Sequence, residues 1–296
     1  MSPEQAFGAP FALEPPSDQY ALGLILYELV TLQKANPGNE PLECIRAARE
    51  GLTNPIQPAP SSSSVPRELK AIIGRATARE LARRGHHVHV VTRDAGRAAA
   101  LEGDFPGRTH RADLVESAAC ADLVAGIVEA DGRLDHVVHA VGDFQRATLE
   151  ATGWDEWQAL LDSNLRTSVQ LADAARAPLR SSSGSLLFFG VAGLDGHRAR
   201  RATAAYAAAK SALLVLTRSL AAEEAGHGVR VNMLSPGVVP HVGAEEGTRA
   251  ADGDGARVPL GPSTPEELAR TVAWLLSADA RSITGQNLEQ AGGWML

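Results

Sequence analysis

The stretch KAIIGRATARELARRGHHVHVVTRD, residues 70–94, joins a helical pattern to a short apolar strand and indicates how the chain is built. The helical pattern runs from residue 67 to 84 without a break, and residues 87–92 form an apolar, β-branched run. A helix that leads into such a strand is the second half of a βαβ unit. Only Gly74 stands where several glycines are expected in the turn that opens the unit.

After residue 67 the chain alternates between helical patterns and short apolar runs. The predicted helices cover 67–84, 116–129, 154–177, 203–225 and 265–277, and the predicted strands cover 87–92, 134–140, 185–191, 229–234 and 287–290. Alternation of this kind predicts a mostly parallel sheet with helices on both faces. The predicted fold is therefore α/β, with a Rossmann-like doubly wound sheet.

The composition changes at NPIQPAPSSSSVP, residues 54–66, which reads as a linker. Residues 17–32 before it carry apolar side chains at helical spacing. We therefore predict a small helical segment over residues 1–66, ending in the linker at 54–66, and one α/β domain over 67–296. Serines and prolines do not form a buried central parallel strand, so the sheet is expected to lack its normal first strand.

Bulk properties exclude several function classes. The 296 residues carry a formal net charge of -7 and only 4% aromatic residues, which disfavours nucleic-acid binding. Cys44 and Cys120 are the two cysteines, so neither a disulfide framework nor a cysteine-based zinc site is indicated. The longest apolar run, residues 21–30, is too short to span a membrane, and no signal peptide is recognisable. A cytoplasmic protein without a metal is expected.

The strongest chemical signal is AAYAAAKSALLVLTRSLAAE, in which Tyr206 and Lys210 are four residues apart on a predicted helix. At 3.6 residues per turn this spacing places the phenol and the ammonium on one face. Lys210 would lower the phenol pKa there, so that Tyr206 exchanges a proton nearer neutral pH. A bare pair of this kind is common by chance, and its surroundings decide the interpretation.

Six stretches in the chain resemble, in order, the motifs of the short-chain dehydrogenase/reductase family over residues 72–296. They are Asp113-Leu114, HVVHAVG ending at Gly142, Asn164 in LLDSNL, Tyr206 with Lys210, VRVNMLSPGVV, and TGQNLEQAGGW. The resemblance implies an oxidoreductase that moves a hydride between a nicotinamide and a carbonyl or alcohol carbon. Tyr206 would be the general acid or base, Lys210 would hold the nicotinamide ribose, and Asn164 would hold a water that relays protons.

The resemblance also implies a cofactor site. Asp113 and Leu114 would meet the adenine, Gly142 would allow close approach of the cofactor, and Pro236 with Gly237 would line the nicotinamide. Gly74 aligns with the last part of the family's glycine-rich turn, and Ala140 belongs to HAVG, which replaces the usual Asn-Asn-Ala-Gly. Arg93 after the second family strand pairs with a 2′-phosphate and favours NADP(H), whereas a carboxylate such as the adjacent Asp94 would favour NAD(H).

Two family features are missing from the sequence. The catalytic serine aligns with Gly193 by count or with Gly190 by strand, and neither has a side chain that donates a hydrogen bond. Asp195, His197 or Thr203 are candidates for its task, although for Asp195 a solvated loop residue is the favoured interpretation. The strand and the glycine-rich turn that receive the pyrophosphate are replaced by PSSSSVPREL.

Residues 1–78 instead resemble the C-terminal lobe of a bacterial serine/threonine protein kinase. MSPEQ resembles the end of an activation segment, PPSDQYALGLILYELVT the helix that follows it, and VPRELKAIIGRATA a late helix of the lobe. The resemblance implies a fusion joined inside the helix that contains IIGRATA. Kinase activity is not expected, because the ATP loop and the catalytic aspartates do not precede Met1. An unrelated helical cap is the alternative.

Three functions follow as hypotheses from the sequence. The first is an NADP(H)-dependent oxidoreductase acting on a small carbonyl or alcohol substrate. The second is a catalytically impaired reductase remnant that acts as an interaction module, and the third is a kinase-like docking fragment with a passenger reductase domain. The apolar faces of helices 154–177 and 203–225, which include Leu161, Leu213 and Leu216, permit a homodimer or homotetramer, or pack on the sheet. The substrate itself is not readable from the sequence.

Overall fold

The fold is described from a computed structural model, which describes residues 68–196, 198–237, 239 and 258–294. Seven α-helices lie in these ranges: α1 Glu68–Arg83, α2 Ala95–Glu102, α3 Ser117–Asp131, α4 Trp154–Leu161, α5 Thr167–Ser182, α6 Ala204–Glu224 and α7 Pro265–Leu276. The six strands there are β1 Val90–Thr92, β2 Thr109–Arg111, β3 His136–His139, β4 Ser185–Phe189, β5 Arg230–Pro236 and β6 Asn287–Gln290.

All pairings between the described strands are parallel, as the alternation of helices and strands predicts. β1 pairs with β2, and β3, β4, β5 and β6 form a second sheet in that order. Within the described ranges β1 and β3 are not paired with each other. A central strand would join the two sheets at this place, and residues preceding Glu68 lie outside the described part of the chain.

Strand β4 shows why the larger sheet has a core on each face. Its sequence, SLLFF, is buried at every position, as expected for a central parallel strand covered on both sides. Leu186 and Phe188 pack with α3, α5 and α6, while Leu187 and Phe189 pack with α1 and α7. Successive side chains of a strand point to opposite faces, so one apolar run supplies both cores.

The elements of the structure agree with the predicted ones in part. The predicted helix over residues 154–177 is wrong in one respect, because a π-helical turn, Asp162–Arg166, separates α4 from α5. The sequence patterns also missed α2 and β2, which are short and weakly apolar. The helix predicted over 67–84 agrees with α1, whereas the predicted segment 1–66, its linker and most of the kinase-like stretch lie outside the described residues.

Leu213 shows what one face of α6 packs against. Leu213 is fully buried in the core that includes Leu186 and Phe188, and Leu216 packs partly against the same cluster. Of the two alternatives for Leu213, packing on the sheet is the one observed, because its side chain is covered by the core of the larger sheet. None of the helices in the described ranges is long and apolar enough to cross a membrane.

Candidate active site

Tyr206 and Lys210 lie on the first turns of α6 and are brought together as their spacing predicts. Lys210 is fully buried, and its Nζ lies 5.9 Å from the centroid of the Tyr206 ring. The ammonium donates a hydrogen bond of 2.7 Å to the carbonyl oxygen of Phe189, the last residue of β4. The pair therefore lies beside the carboxyl end of the central sheet, where open α/β sheets bind their ligands.

The surroundings of the Tyr206 phenol favour its neutral form. The side chain is almost fully buried, and the ring of Phe144 meets it edge-on at 4.8 Å between centroids. Burial raises the pKa of Tyr206 above its ordinary value and the positive charge of Arg200 offsets this only in part, so the net shift is opposite to the lowering that was expected from Lys210. Arg200 was missed by the sequence reasoning, since it lies in the loop before α6 and is held there by a 2.7 Å hydrogen bond to the Ala192 carbonyl.

Asn164 occupies the π-helical turn between α4 and α5 and is fully buried. Its side-chain amide nitrogen donates to the carbonyl oxygens of Asp143 at 2.8 Å and Leu160 at 3.0 Å. Asp143 belongs to the loop that follows β3, so this amide ties the turn to the end of the sheet. A π-helical turn redirects the backbone groups of a helix and often marks a functional site.

A second buried polar side chain, His139, joins β3 to the same turn. His139 begins HAVG, which replaces the family's usual Asn-Asn-Ala-Gly, and its side chain contacts buried hydroxyl groups. Its Nε2 lies 3.0 Å from the Thr167 hydroxyl and its Nδ1 lies 3.2 Å from the Ser168 hydroxyl. The histidine is 1% exposed. The signal in the sequence that could have identified His139 is a polar residue at the end of a predicted buried strand.

Gly190, one of the two positions that align with the missing serine, has its side-chain space filled from the neighbouring strand. A Cβ built on Gly190 would overlap the hydroxyl of Ser235 and lie 2.6 Å from the sulfur of Met233. Ser235 is fully buried and donates to Asn287 Oδ1 at 2.6 Å. At the alternative position, the backbone nitrogen of Gly193 donates to the Glu289 carboxylate at 2.7 Å.

The residues considered as substitutes for the serine have other surroundings. The Asp195 carboxylate accepts hydrogen bonds from Arg218 at 2.6 Å and from Asn287 at 2.9 Å, on an exposed loop. This arrangement supports the interpretation of Asp195 as a loop residue. Thr203 immediately precedes α6 and has no capping hydrogen bond, and His197 lies outside the described residues.

The adenosine side of the predicted cofactor site lies at the ends of β1 and β2. Arg93 follows β1 with a half-exposed guanidinium, 4.0 Å from the Asp143 carboxylate. Arg111 is the last residue of β2, and its Nε donates to the Arg93 carbonyl at 3.3 Å. This part of the predicted site therefore contains a second guanidinium. Asp113 accepts a hydrogen bond from the Val115 backbone at 3.1 Å, and the Leu114 side chain is buried.

The three glycines predicted for the cofactor site have different surroundings in the structure. Gly142 after β3 has a φ of 133°, a conformation that side chains disfavour, and Gly237 after Pro236 lies so close to Ala291 that a Cβ would meet it at 2.7 Å. Gly74, in contrast, lies in the interior of α1. A Cβ there would lie 3.5 Å from that of Ala140, which is an ordinary packing contact.

These positions test whether a dinucleotide fits. A buried ammonium, a phenol and a glycine with positive φ at the strand ends suit the nicotinamide ribose, and two guanidinium groups suit a phosphate. The pyrophosphate half fits less well, because the backbone of Gly74 is inside a helix rather than at its amino end. The described residues therefore match a dinucleotide at its two ends better than at its centre.

The sheet and the site together define a Rossmann-like α/β protein with a buried tyrosine, lysine and asparagine at the carboxyl ends of its strands. Comparisons with known proteins give the same class. Residues 70–295 match the family model described as Enoyl-(Acyl carrier protein) reductase. The chain thus belongs to the short-chain dehydrogenase/reductase family of oxidoreductases.

Individual relatives cover most of the same region. The chain is 33% identical to the Inactive 2-(S)-hydroxypropyl-CoM dehydrogenase 2 of Xanthobacter autotrophicus, over 73% of this chain and 98% of that protein. It is 31% identical to the 3-oxoacyl-[acyl-carrier-protein] reductase FabG of Escherichia coli, over 75% of this chain and 92% of that protein. The solved TT0495 protein from Thermus thermophilus is 33% identical, with a TM-score of 0.65, over 75% of this chain and 93% of that one.

Proposed function

We propose that the chain is an NADP(H)-dependent oxidoreductase that interconverts a small carbonyl compound and the corresponding alcohol. The observation that carries the proposal is the position of Tyr206, Lys210 and Asn164, three buried polar residues beside the ends of β3 and β4. Burying such groups is unfavourable unless they are hydrogen-bonded, and a site that needs them is a common reason for their presence.

Each residue has a distinct part in the proposed reaction. The Tyr206 hydroxyl gives a proton to the carbonyl oxygen during reduction, or takes one from the alcohol during oxidation. Lys210 binds the ribose hydroxyls and orients the nicotinamide next to the phenol. Asn164 holds the water through which the proton is replaced. The bound nicotinamide supplies or accepts the hydride.

The cofactor preference rests on the guanidinium of Arg93. It is half-exposed at the end of β1, and Arg111 lies beside it, so a 2′-phosphate has two cationic neighbours there. Asp113 and Leu114 are proposed to meet the adenine, Gly142 and Ala140 to border the pyrophosphate with Gly74, and Pro236 with Gly237 to line the nicotinamide. NADP(H) is accordingly proposed over NAD(H).

The remaining proposals concern organisation. We propose a reductase domain over residues 67–296 that follows a separate segment of kinase-lobe origin, in a cytoplasmic protein that forms a homodimer or homotetramer. The name of the FabG relative gives a 3-oxoacyl group on an acyl carrier protein as its substrate, and a small carbonyl or alcohol substrate is proposed for this chain. Neither nucleic acid nor membrane is a proposed partner.

A second candidate is a reductase remnant that no longer binds its dinucleotide. It is favoured by the placement of Gly74 inside α1 rather than at the amino end of a helix. The name of the Xanthobacter relative describes an inactive protein, so loss of activity occurs among the relatives of this chain.

Titration with NADPH separates the two candidates. The oxidoreductase is expected to bind NADPH in the micromolar range, corresponding to about -8 kcal/mol, and to bind NADH more weakly. Absence of binding up to millimolar NADPH would support the remnant. A chain in which residues 1–71 are replaced by an authentic strand and glycine-rich turn is the matched control, because binding restored by this graft would locate the defect in the front of the domain.

Replacement of Tyr206 by Phe tests the catalytic part of the proposal. The phenyl ring keeps its contact with Phe144, so the fold and NADPH binding are expected to persist. Turnover of a carbonyl substrate should fall by about 10²-fold to 10⁴-fold, the usual contribution of general acid–base catalysis. Unchanged turnover would remove Tyr206 from the mechanism.

A further inference from the structure

Three side chains beside β1 and β2 form a hydrogen-bonded row. His89 directly precedes β1, and its Nδ1 lies 2.8 Å from the Nε2 of His110 in β2. The other ring nitrogen of His89, Nε2, lies 3.1 Å from the carboxylate of Asp131, the last residue of α3. The two rings are inclined by 23° with centroids 5.1 Å apart, so they meet edge to edge along the hydrogen bond rather than face to face.

The carboxylate of Asp131 fixes the direction of both hydrogen bonds. The hydrogen bond from His89 lowers the pKa of the Asp131 carboxyl, so this group is ionised at neutral pH and only accepts. The Nε2 of His89 therefore carries a hydrogen. The Nδ1 of a neutral His89 then has none, and the hydrogen between the two rings comes from the Nε2 of His110.

The row can take up one proton without losing a hydrogen bond. The added proton makes His89 an imidazolium that donates to Asp131 and to His110, whose own hydrogen moves from Nε2 to Nδ1. A second added proton places an N–H on both facing nitrogens, and two donors 2.8 Å apart do not form a hydrogen bond. The contact between the rings is therefore lost only when both rings are charged.

The charges around the row resist the second proton at neutral pH. Burial and the charge of His89 lower the pKa of His110, and Glu102 opposes this shift only in part. The second proton is therefore bound in acid, below the ordinary histidine value of 6.5. Two further groups that carry or gain a charge act on the Asp131 carboxylate, namely Arg108 and His87.

The row lies next to the strand ends that carry Arg93 and Arg111. Each strand has three residues, and His110 pairs with Val91 while Arg111 pairs with Thr92. Arg111 directly follows His110, and its Nε donates to the Arg93 carbonyl at 3.3 Å. Because strands this short form few backbone hydrogen bonds, a contact between their side chains contributes substantially to holding them together.

We propose that the hydrogen bond between His89 and His110 is an acid-sensitive junction between β1 and β2, closed while the pair holds at most one added proton and open when both rings are charged. When the junction opens, Arg111 separates from the Arg93 backbone, and the proposed 2′-phosphate site loses one of its two cationic neighbours. This effect on the cofactor rests on the proposed function, whereas the junction itself does not.

The junction is observed directly by NMR in the full chain without a cofactor. In protein labelled with ¹⁵N in histidine, a scalar coupling across the hydrogen bond is expected at pH 8 between a protonated Nε2 and an unprotonated Nδ1. Acid should abolish this coupling while the methyl signals of the folded core persist. No coupling at pH 8, an Nδ1–H tautomer on either ring, or a coupling that persists until the chain unfolds would overturn the proposal.

Two replacements of His110 separate its hydrogen bond from its titration. In His110→Gln the side-chain amide donates in place of Nε2 but does not titrate, so the junction is expected to stay closed in acid. His110→Leu removes the donor at every pH. The control is His87→Gln, since the His87 ring is 67% exposed and lies 3.7 Å from the Asp131 carboxylate, beyond hydrogen-bond distance. If the His110 variants do not fold, the coupling in the wild type decides the junction.

Titrations with NADP⁺ at pH 7.5 and pH 5 measure the effect on the cofactor, because the reduced form decomposes in acid. The phosphate itself titrates at a pKa of about 6, so the wild type is compared with the variants. Between these pH values the wild type and His87→Gln are expected to lose about 3-fold to 10-fold more affinity than His110→Gln, as for the loss of one hydrogen bond. His110→Leu should bind weakly at both.

Titrations with NAD⁺ show whether the effect acts through the two guanidinium groups. NAD⁺ lacks the 2′-phosphate, so its affinity should show no such difference between the wild type and His110→Gln. Equal pH dependence of these two proteins with NADP⁺, or an equal difference with NAD⁺, would overturn the link to the cofactor. A chain that binds NADP⁺ at neither pH would refute the proposed function, and the NMR coupling would then decide the junction alone.

Discussion

The Nζ of Lys210 donates a hydrogen bond of 2.7 Å to the carbonyl oxygen of Phe189, and this contact joins α6 to the end of β4. The two residues are 21 positions apart in the chain, and both are almost completely buried. The ammonium is therefore held at the sheet end by a backbone carbonyl. It has the defined position that a group holding a ribose requires.

Replacement of Lys210 by Met tests this placement. The thioether fills a similar volume but leaves the Phe189 carbonyl without this donor, so we expect a loss of about 1–3 kcal/mol in the free energy of unfolding. NADPH binding is expected to weaken in parallel. Urea unfolding and an NADPH titration measure the two effects, with Arg218→Met on the exposed part of α6 as control. Equal stability of the Lys210 variant and the wild type would contradict the structural role.

The close contact of Gly190 with Ser235 predicts that the family serine cannot be restored by one substitution. Gly190→Ser places a Cβ against the Ser235 hydroxyl and the Met233 sulfur, and overpacking of this kind typically destabilises by about 1–3 kcal/mol. The second substitution Ser235→Gly should relieve part of the loss, since contacting sites couple by about 0.5–3 kcal/mol. A double-mutant cycle of urea midpoints gives the coupling, and strict additivity would refute the contact.

The ion pairs of Glu224 predict that the folded protein loses stability in strong acid. Hydrogen bonds from Arg180 and Arg176, with their charges, lower the pKa of Glu224 from 4.5 to about 2, despite its burial. Because the folded pKa lies below the unfolded one, the stabilisation is complete above pH 4.5 and is lost as the pH falls towards 2.

The matched variants for this acid effect are Glu224→Gln and Glu223→Gln. The first should lose about 1–2 kcal/mol at pH 7, discounted because the arginines reach solvent, and its stability should depend less on pH between 4.5 and 2. Glu223 is 60% exposed and, among the described residues, forms an ion pair with Arg176 only, so its replacement should have a smaller effect. Denaturant unfolding at several pH values measures both, and a larger loss from Glu223→Gln would contradict this ranking.

His136 is expected to make the stability of the protein depend on pH in a higher range than Glu224 does. Burial at the start of β3 lowers its pKa from 6.5 to about 4, with Asp135 opposing the shift and His86, Arg230 and Arg133 adding to it. Between these pH values the unfolded chain binds a proton that the folded chain does not. Stability should therefore fall as the pH drops from 6.5 to 4.

A non-titrating replacement isolates this contribution. His136→Gln can keep the contact with the Ser185 hydroxyl, which lies 3.0 Å from the imidazole Nδ1. We expect this variant to lose less stability than the wild type between pH 6.5 and 4, as measured by urea unfolding. His227→Gln, at an exposed position, should follow the wild type. Identical pH profiles for all three proteins would exclude His136 as the titrating group.

Much of the fold was predictable because its signals are local. The apolar run of β4 marks a central parallel strand, and the spacing of Tyr206 and Lys210 places both side chains on one helix face. The continuous helix predicted over 154–177 was wrong because the side chain of Asn164 competes for backbone carbonyls and accompanies a π-helical turn. Such competition has no periodic signature.

The sequence by itself determined the order of helices and parallel strands, the family motifs, and the pairing of Tyr206 with Lys210, since these depend on residues within a few turns of one another. Only the tertiary structure decided that Ser235 occupies the space beside Gly190, that Asp195 is held by Arg218 and Asn287, and that His139 joins β3 to the turn of Asn164. These contacts join residues 23 to 92 positions apart, brought together by the packing of helices on a common sheet.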